Sequence, residues 1–232
     1  MPTVLVTGAN RGLGLGLTRV YLEDGWDVFA AVRHSSPELE ALVPGTPGHG
    51  RLDIHQLDLC DDAQLTALAA GFGERSLDVL VNNAGRMARP KHQGLGHFDR
   101  ALWHDLFDIN LFTPMRLAEL FAGPLERSER GRIVTISSAL GSIEQNDDGG
   151  LYAYRASKAG VNALMKSLAV DLAGRGVIAL ALSPGWVRTD MGGPRADLEV
   201  ETSVRGMKKV IDGLGAEHSG KFLSWDGCEL PW

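Results

Sequence analysis

The chain has 232 residues, 44% of them hydrophobic, and a formal net charge of -6, which suits one large domain with a continuous core. Its 23 basic residues are scattered and outnumbered by 29 acidic ones, which argues against a nucleic-acid or anionic-membrane surface. No apolar run reaches the ~18 residues of a membrane span, no charged signal head precedes the first strand, and Cys60 and Cys228 belong to no ligand-spaced group, so a cytoplasmic protein without a metal site is expected.

The apolar run over 4–6 ends in Thr7-Gly8-Ala9-Asn10-Arg11-Gly12-Leu13-Gly14, and an amphipathic stretch over 15–22 follows. Strand, glycine-rich turn and helix in that order are the context that makes such a motif informative. The glycines let the backbone turn sharply and approach a pyrophosphate, and the helix N-terminus offers unpaired N–H groups. Residues 27–32 read as a second strand, apolar enough to be buried on both faces of a parallel sheet. Arg33 follows it, where an acid would hold the ribose hydroxyls of NAD and an arginine suits a 2'-phosphate. With Arg11 inside the glycine turn, two guanidiniums and no acid favour NADPH over NADH.

A short helix is expected over 36–43, a loop over 44–48 and a third strand over 52–57 that ends at Asp58-Leu59. Asp58 can accept from an adenine amino group or cap the helix that starts at Asp61 and Asp62. A fourth strand over 77–81 closes with Asn82-Asn83-Ala84-Gly85, small and amide residues where an open parallel sheet meets its ligand. The polar stretch 86–97 reads as a loop, and its His92 and His97 lack metal-site spacing. A long helical pattern spans 99–127 and contains Asn110, which must find a partner or cost about 1 to 3 kcal/mol.

The fifth strand, 131–136, runs into Ser137-Ser138, where a hydroxyl can donate to a carbonyl oxygen as charge develops on it. No G-x-S-x-G elbow is present, which disfavours a serine hydrolase. After a polar loop over 141–150 come Tyr154 and Lys158, at i and i+4 of an apolar helix and so stacked on one face about 6 Å apart. An ammonium ~4 Å from the phenol, at an effective dielectric of ~20, is worth ~4 kcal/mol or about three pK units. That would bring Tyr154 near neutrality, where a general acid-base group works best. A sixth strand, 177–182, leads to Pro184-Gly185-Trp186-Val187-Arg188-Thr189. Residues 190–201 show no firm pattern and suggest a flexible cover, 202–211 a helix, and 220–223 a seventh strand. Leu140, Trp186 and Met191 are candidate pocket walls.

These motifs, in this order and over essentially the whole chain, resemble the short-chain dehydrogenase/reductase family. The stretch around Tyr154, the Gly149-Gly150 pair and the ending Trp225-Asp226-Gly227-Cys228-Glu229-Leu230-Pro231-Trp232 are similar to its C-factor and sniffer-type carbonyl reductases. The resemblance implies a Rossmann-type doubly wound three-layer α/β sandwich, with a mostly parallel sheet of about seven strands in one domain over 1–232. It implies Tyr154 as general acid, Lys158 lowering its pKa and holding the nicotinamide ribose, Ser138 polarising the carbonyl, and Asn110 holding a water that links Lys158 to solvent. The NADP(H) site it implies comprises Gly8, Asn10, Arg11, Gly12, Leu13, Gly14, Arg33, Asp58, Leu59, Asn83, Ala84, Gly85, Tyr154, Lys158, Pro184, Gly185, Val187 and Thr189. The substrate would be a small carbonyl compound or alcohol, and the two long helices would pair subunits into a homodimer or homotetramer. The interval from Ser138 to Tyr154 is longer than the family's common one, so the loop between them must bulge outward, and Ser137 is the fallback hydroxyl. A dinucleotide-binding sensor or signalling protein with incidental turnover is the alternative function.

Overall fold

Alternation along each strand divides the core between two faces of one sheet. In β1 (Thr3–Thr7), Val4 and Val6 join one cluster and Leu5 the other; in β2 (Asp27–Val32), Val28, Ala30 and Val32 oppose Phe29 and Ala31 in the same way. The computed structural model describes residues 1–42 and 50–232. The sheet is completed by β3 (Leu52–Gln56), β4 (Val79–Asn82), β5 (Arg132–Ile136), β6 (Ile178–Ser183) and β7 (Phe222–Ser224), in the order β3-β2-β1-β4-β5-β6-β7. Every pairing between these strands is parallel, so the expected seven-stranded sheet is parallel throughout.

Among the described residues, seven α-helices connect the strands: α1 (Gly12–Glu23), α2 (Pro37–Glu40), α3 (Asp62–Phe72), α4 (Arg100–Phe107), α5 (Thr113–Glu126), α6 (Tyr152–Leu172) and α7 (Val200–Asp212). Residues of α1 and α7 pack on one face of the sheet, and residues of α3, α5 and α6 on the other. The chain winds outward from β1 to β3, then returns to place β4 on the opposite side of β1. That reversal opens a crevice at the C-terminal ends of β1 and β4, the ordinary ligand position of an open parallel sheet.

Three elements differ from their sequence expectation. The helix expected over 36–43 is the single turn α2, started by Ser36, whose hydroxyl accepts from Leu39 N–H at 3.2 Å; Val43 and the loop expected over 44–48 lie outside the described residues. The helix expected over 99–127 is interrupted by a π-helical turn, Asp108–Phe112, between α4 and α5. Its physical reason is Pro114, which has no N–H to donate to the Asn110 carbonyl four residues back. The segment over 190–201 is tied down rather than loose. Val187 bridges Leu198, the Trp186 indole donates to Gly192 O at 2.9 Å, and the Arg188 guanidinium donates to Ala196 O at 2.7 Å and pairs with Glu199.

Candidate active site

The glycine turn is built by contacts that exclude side chains. Gly8 (φ 66) and Gly12 (φ 52) sit in the left-handed region that favours glycine. A Cβ on Gly14 would overlap the Gly8 carbonyl and crowd the Asn83 amide. Thr7, at the end of β1, joins the turn to the end of β4: its hydroxyl accepts from Asn83 N–H and Ala84 N–H, each at 3.0 Å. The Asn83 side chain in turn donates to Thr7 O at 2.9 Å. The Asn10 carbonyl accepts from the Ser36 hydroxyl at 2.8 Å. No side chain caps α1 and no acid lies in its first turn, so its N-terminal N–H groups, with Leu13 among them, face the crevice uncompensated.

At the same crevice, α6 presents Tyr154 and Lys158, both buried. Lys158 Nζ donates to Ile136 O at 2.7 Å and lies 5.8 Å from the centre of the Tyr154 ring. Burial pushes the Tyr154 phenol up to about 12, while the adjacent Ser138 hydroxyl draws it partly back; burial lowers Lys158 to about 8. The spacing of the two residues predicts a Tyr154 near neutrality, and the structure corrects that expectation. Burial, which disfavours the charged phenolate, is the larger cause, and the Ser138 hydroxyl offsets only part of it.

Ser138 thus reaches Tyr154 despite the long interval between them, because residues 144–149 turn outward and are exposed. Asn146 Oδ1 closes that turn by accepting from Gly149 N–H at 3.1 Å. Ser137 is buried and donates to Asn162 Oδ1 at 2.6 Å, whereas the Ser138 hydroxyl accepts from Leu140 N–H at 3.2 Å and adjoins the Tyr154 phenol.

Asn110 sits in the π-helical turn with both amide N–H groups bonded and one bond accepted by its oxygen. It accepts from Arg86 N–H at 2.8 Å and donates to Arg86 O at 2.9 Å and to the Ser157 hydroxyl at 3.0 Å. Ser157 itself donates to Tyr154 O at 2.8 Å. Asn110 Oδ1 and Lys158 Nζ both lie within 3.6 Å of the point where a Gly85 Cβ would stand. Two residues that brace the site, Thr7 and Ser157, carry no role in the sequence reading. The signal for Thr7 is its place at a strand end in register with β4, whereas Ser157 has none beyond its position beside Lys158.

The remaining candidates differ in burial and in their bonds. Arg33 is exposed and Leu59 buried, with Leu59 O accepting from the Thr113 hydroxyl at 2.9 Å. Asp58 holds the turn after β3, accepting from Cys60 N–H at 3.0 Å, and the cap of α3 is Asp61. Arg11 forms an exposed ion pair with Asp190 at 2.7 Å. The Pro184 carbonyl accepts from the Ser203 hydroxyl of α7 at 2.7 Å. Gly185 is left-handed (φ 77), Val187 is buried, and the Thr189 methyl lies 3.5 Å from the point where a Cβ on Gly12 would stand. Trp186 and Met191 are half-exposed. Among the described residues there is no metal-ligating group of His, Cys, Asp and Glu, and no helix long and apolar enough to cross a membrane.

A parallel sheet with a reversed strand order, a glycine turn at the reversal and a Tyr-Lys pair facing it define the doubly wound nucleotide-fold class. Within that class the chain belongs to the short chain dehydrogenase family, whose model matches residues 2–199. C-signal of Myxococcus xanthus is 42% identical over 168 residues, covering 72% of this chain and 100% of that protein. The solved structure of carbonyl reductase Sniffer of D. melanogaster has a TM-score of 0.92 at 34% identity, covering 100% of both chains. That of NADPH-bound carbonyl reductase from chicken fatty liver has a TM-score of 0.90 at 34% identity, covering 100% of this chain and 99% of that one.

Proposed function

We propose that this chain is an NADPH-dependent oxidoreductase acting on a carbonyl compound or secondary alcohol, with residues 1–232 working as one domain. The observation that carries the reading is the meeting of Ser138, Tyr154 and Lys158 at the crevice beside Gly85. The residues present fit the dinucleotide. The turn over Gly8 and Gly14 leaves no room for side chains, the α1 N-terminus is uncapped, and the Ser35 hydroxyl, two residues after Arg33, is a buried polar atom without a partner among the described residues. When bound, the nicotinamide supplies the hydride.

Arg11 and Arg33 would grip the 2'-phosphate, the Asn10 to Gly14 backbone the pyrophosphate, and Asp58 and Leu59 the adenine side. Asn83, Ala84 and Gly85 would border the ribose, and Pro184, Gly185, Val187 and Thr189 the nicotinamide end. Tyr154, protonated throughout the neutral range, donates its proton to the reduced carbonyl oxygen, while Ser138 holds that oxygen by a hydrogen bond. Lys158 binds the nicotinamide ribose, and Asn110 holds the water that relays protons between Lys158 and solvent. The carbonyl reductases named above support a carbonyl substrate, with Leu140, Trp186 and Met191 as its walls. We assign the protein to the cytoplasm, as a homodimer or homotetramer paired through α5 and α6, where Tyr152 and Val170 of α6 and Phe112, just before α5, are exposed.

Titration with NADPH and with NADH, for the wild type and Arg33→Ala, tests the cofactor. Tighter NADPH binding that weakens about tenfold in the variant is expected for loss of one charge-assisted phosphate contact; binding of neither dinucleotide removes the reading. The likeness to a protein whose name is C-signal is the observation behind one alternative, a dinucleotide-binding sensor or signalling protein with incidental turnover. Tyr154→Phe separates the two, because an enzyme loses turnover while keeping cofactor binding, whereas a sensor's response is unaffected.

A further inference from the structure

The head of α6 lacks a cap of its own. Leu151, in the capping position, is left-handed (φ 47), the one non-glycine residue in that state among those described, and its side chain bonds none of the first N–H groups. Gly149 (φ 64) and Gly150 (φ 61) precede it in the same state. Three consecutive left-handed residues carry the chain around the end of the helix but leave its first donors unsatisfied. Those donors are met from a loop some sixty residues earlier. Gln93 O accepts from Tyr152 N–H at 3.1 Å, and Gln93 Oε1 accepts from Tyr154 N–H at 3.0 Å. The same amide donates through Nε2 to Ala88 O at 2.7 Å, and the Gln93 residue is only 1% exposed. Ala88 packs with Leu106 of α4 and Ala153 of α6.

We propose that Gln93 is a positioning residue for Tyr154, holding its backbone, and hence its phenol, in register with the loop that continues from Gly85. This rests on the role proposed for Tyr154. The physical case is that a buried amide with both ends bonded has one orientation, so it fixes the distance between the β4 loop and the first turn of α6. Among the described residues nothing else ties Tyr154 N–H, because a helix leaves its first four N–H groups without internal partners. A misplacement of about 1 Å at a reacting group is enough to cost about 100-fold in rate.

The test compares the full-length wild type with Gln93→Leu, which removes both side-chain bonds, and Gln93→Glu, which keeps the acceptor for Tyr154 N–H and places a carboxylate at a helix N-terminus, where it is favoured. Three readouts are taken: amide hydrogen exchange over 152–157, NADPH affinity, and NADPH oxidation with diacetyl as an activated carbonyl probe. Gln93→Leu is expected to speed exchange over 152–157 at least about tenfold and to lower kcat roughly 10- to 100-fold, with KM and NADPH affinity within about twofold. Gln93→Glu, which keeps the acceptor for Tyr154 N–H but sets an oxygen against Ala88 O, is expected to fall between the wild type and Gln93→Leu in kcat. Unchanged exchange in Gln93→Leu, or a loss of NADPH affinity as large as the loss of kcat, overturns the proposal. If the wild type binds NADPH but reduces no carbonyl probe, the proposed function fails, while the exchange data still decide whether Gln93 holds Tyr154. Should Gln93→Leu not fold, Gln93→Asn, one methylene too short to reach both partners, carries the same comparison; full kcat in that variant overturns the proposal.

Discussion

Lys158 donates to a backbone carbonyl rather than a carboxylate, and burial holds its ammonium near a pKa of about 8, against an ordinary value of 10.5. The unfolded chain therefore keeps this proton over a range in which the folded chain has released it, so folding gains stability as pH rises from about 8 towards 10.5. The difference in unfolding free energy between the wild type and Lys158→Met should climb over that window by at most about 3 kcal/mol, read from denaturant midpoints at stepped pH. A flat or falling difference would mean that the lysine is well solvated. Tyr154 carries the opposite sign: its phenol, raised by burial to about 12, favours the folded state below pH 10 and loses that advantage above it. At Gly14 the constraint is steric. Gly14→Ala meets the Gly8 carbonyl and the Asn83 amide and should cost about 1–3 kcal/mol by overpacking, seen as a lowered Tm, together with weakened NADPH binding. The glycines and the Tyr-Lys spacing are legible as residues because their chemistry is local. The proton affinity of Tyr154 is not, because it depends on how much protein surrounds the ring.

Elements show where local propensity yields to neighbours. The helical periodicity over 99–127 is real, but the π-helical turn at Asp108–Phe112 follows from a single proline and places Asn110 where it can brace Arg86 and Ser157. Asn110→Ala removes the acceptor of the half-buried Arg86 N–H and one donor to the Ser157 hydroxyl, which keeps its bond to Tyr154 O, and should destabilise the chain by about 1–3 kcal/mol, measured by urea unfolding; an Asn110→Ala variant as stable as the wild type would show that water replaces the side chain. The apolar pattern locates the start of α6, yet its capping partner, Gln93, sits in a loop without periodicity and cannot be found by reading outward from the helix. The segment over 190–201 is patternless in sequence because its order comes from scattered backbone bonds and a bridge between Val187 and Leu198, none of which leaves a repeat.

Across the whole molecule, stability and chemistry are separated: the two core clusters lie on the faces of the sheet and the candidate site at the ends of its strands. Phe121 is fully buried against Phe72, with ring centroids 5.5 Å apart. Phe121→Ala should cost about 3–5 kcal/mol in thermal or urea unfolding while leaving NADPH affinity unchanged below the new Tm; a parallel loss of affinity at low temperature would show that core and crevice are coupled. The strand-helix alternation, the parallel sheet and the glycine turn were determined by the sequence itself, since each rests on periodicity, residue chemistry or short fixed spacing, and the order of its motifs over the whole chain carried the resemblance to the family. Tertiary structure alone decided the burial of Ser137 against Asn162, the engagement of Lys158 with Ile136 O, the tying-down of the 190–201 segment and the capping of α6 by Gln93. Those outcomes depend on which groups meet across the crevice from distant parts of the chain, and burial and long-range hydrogen bonds have no local signature.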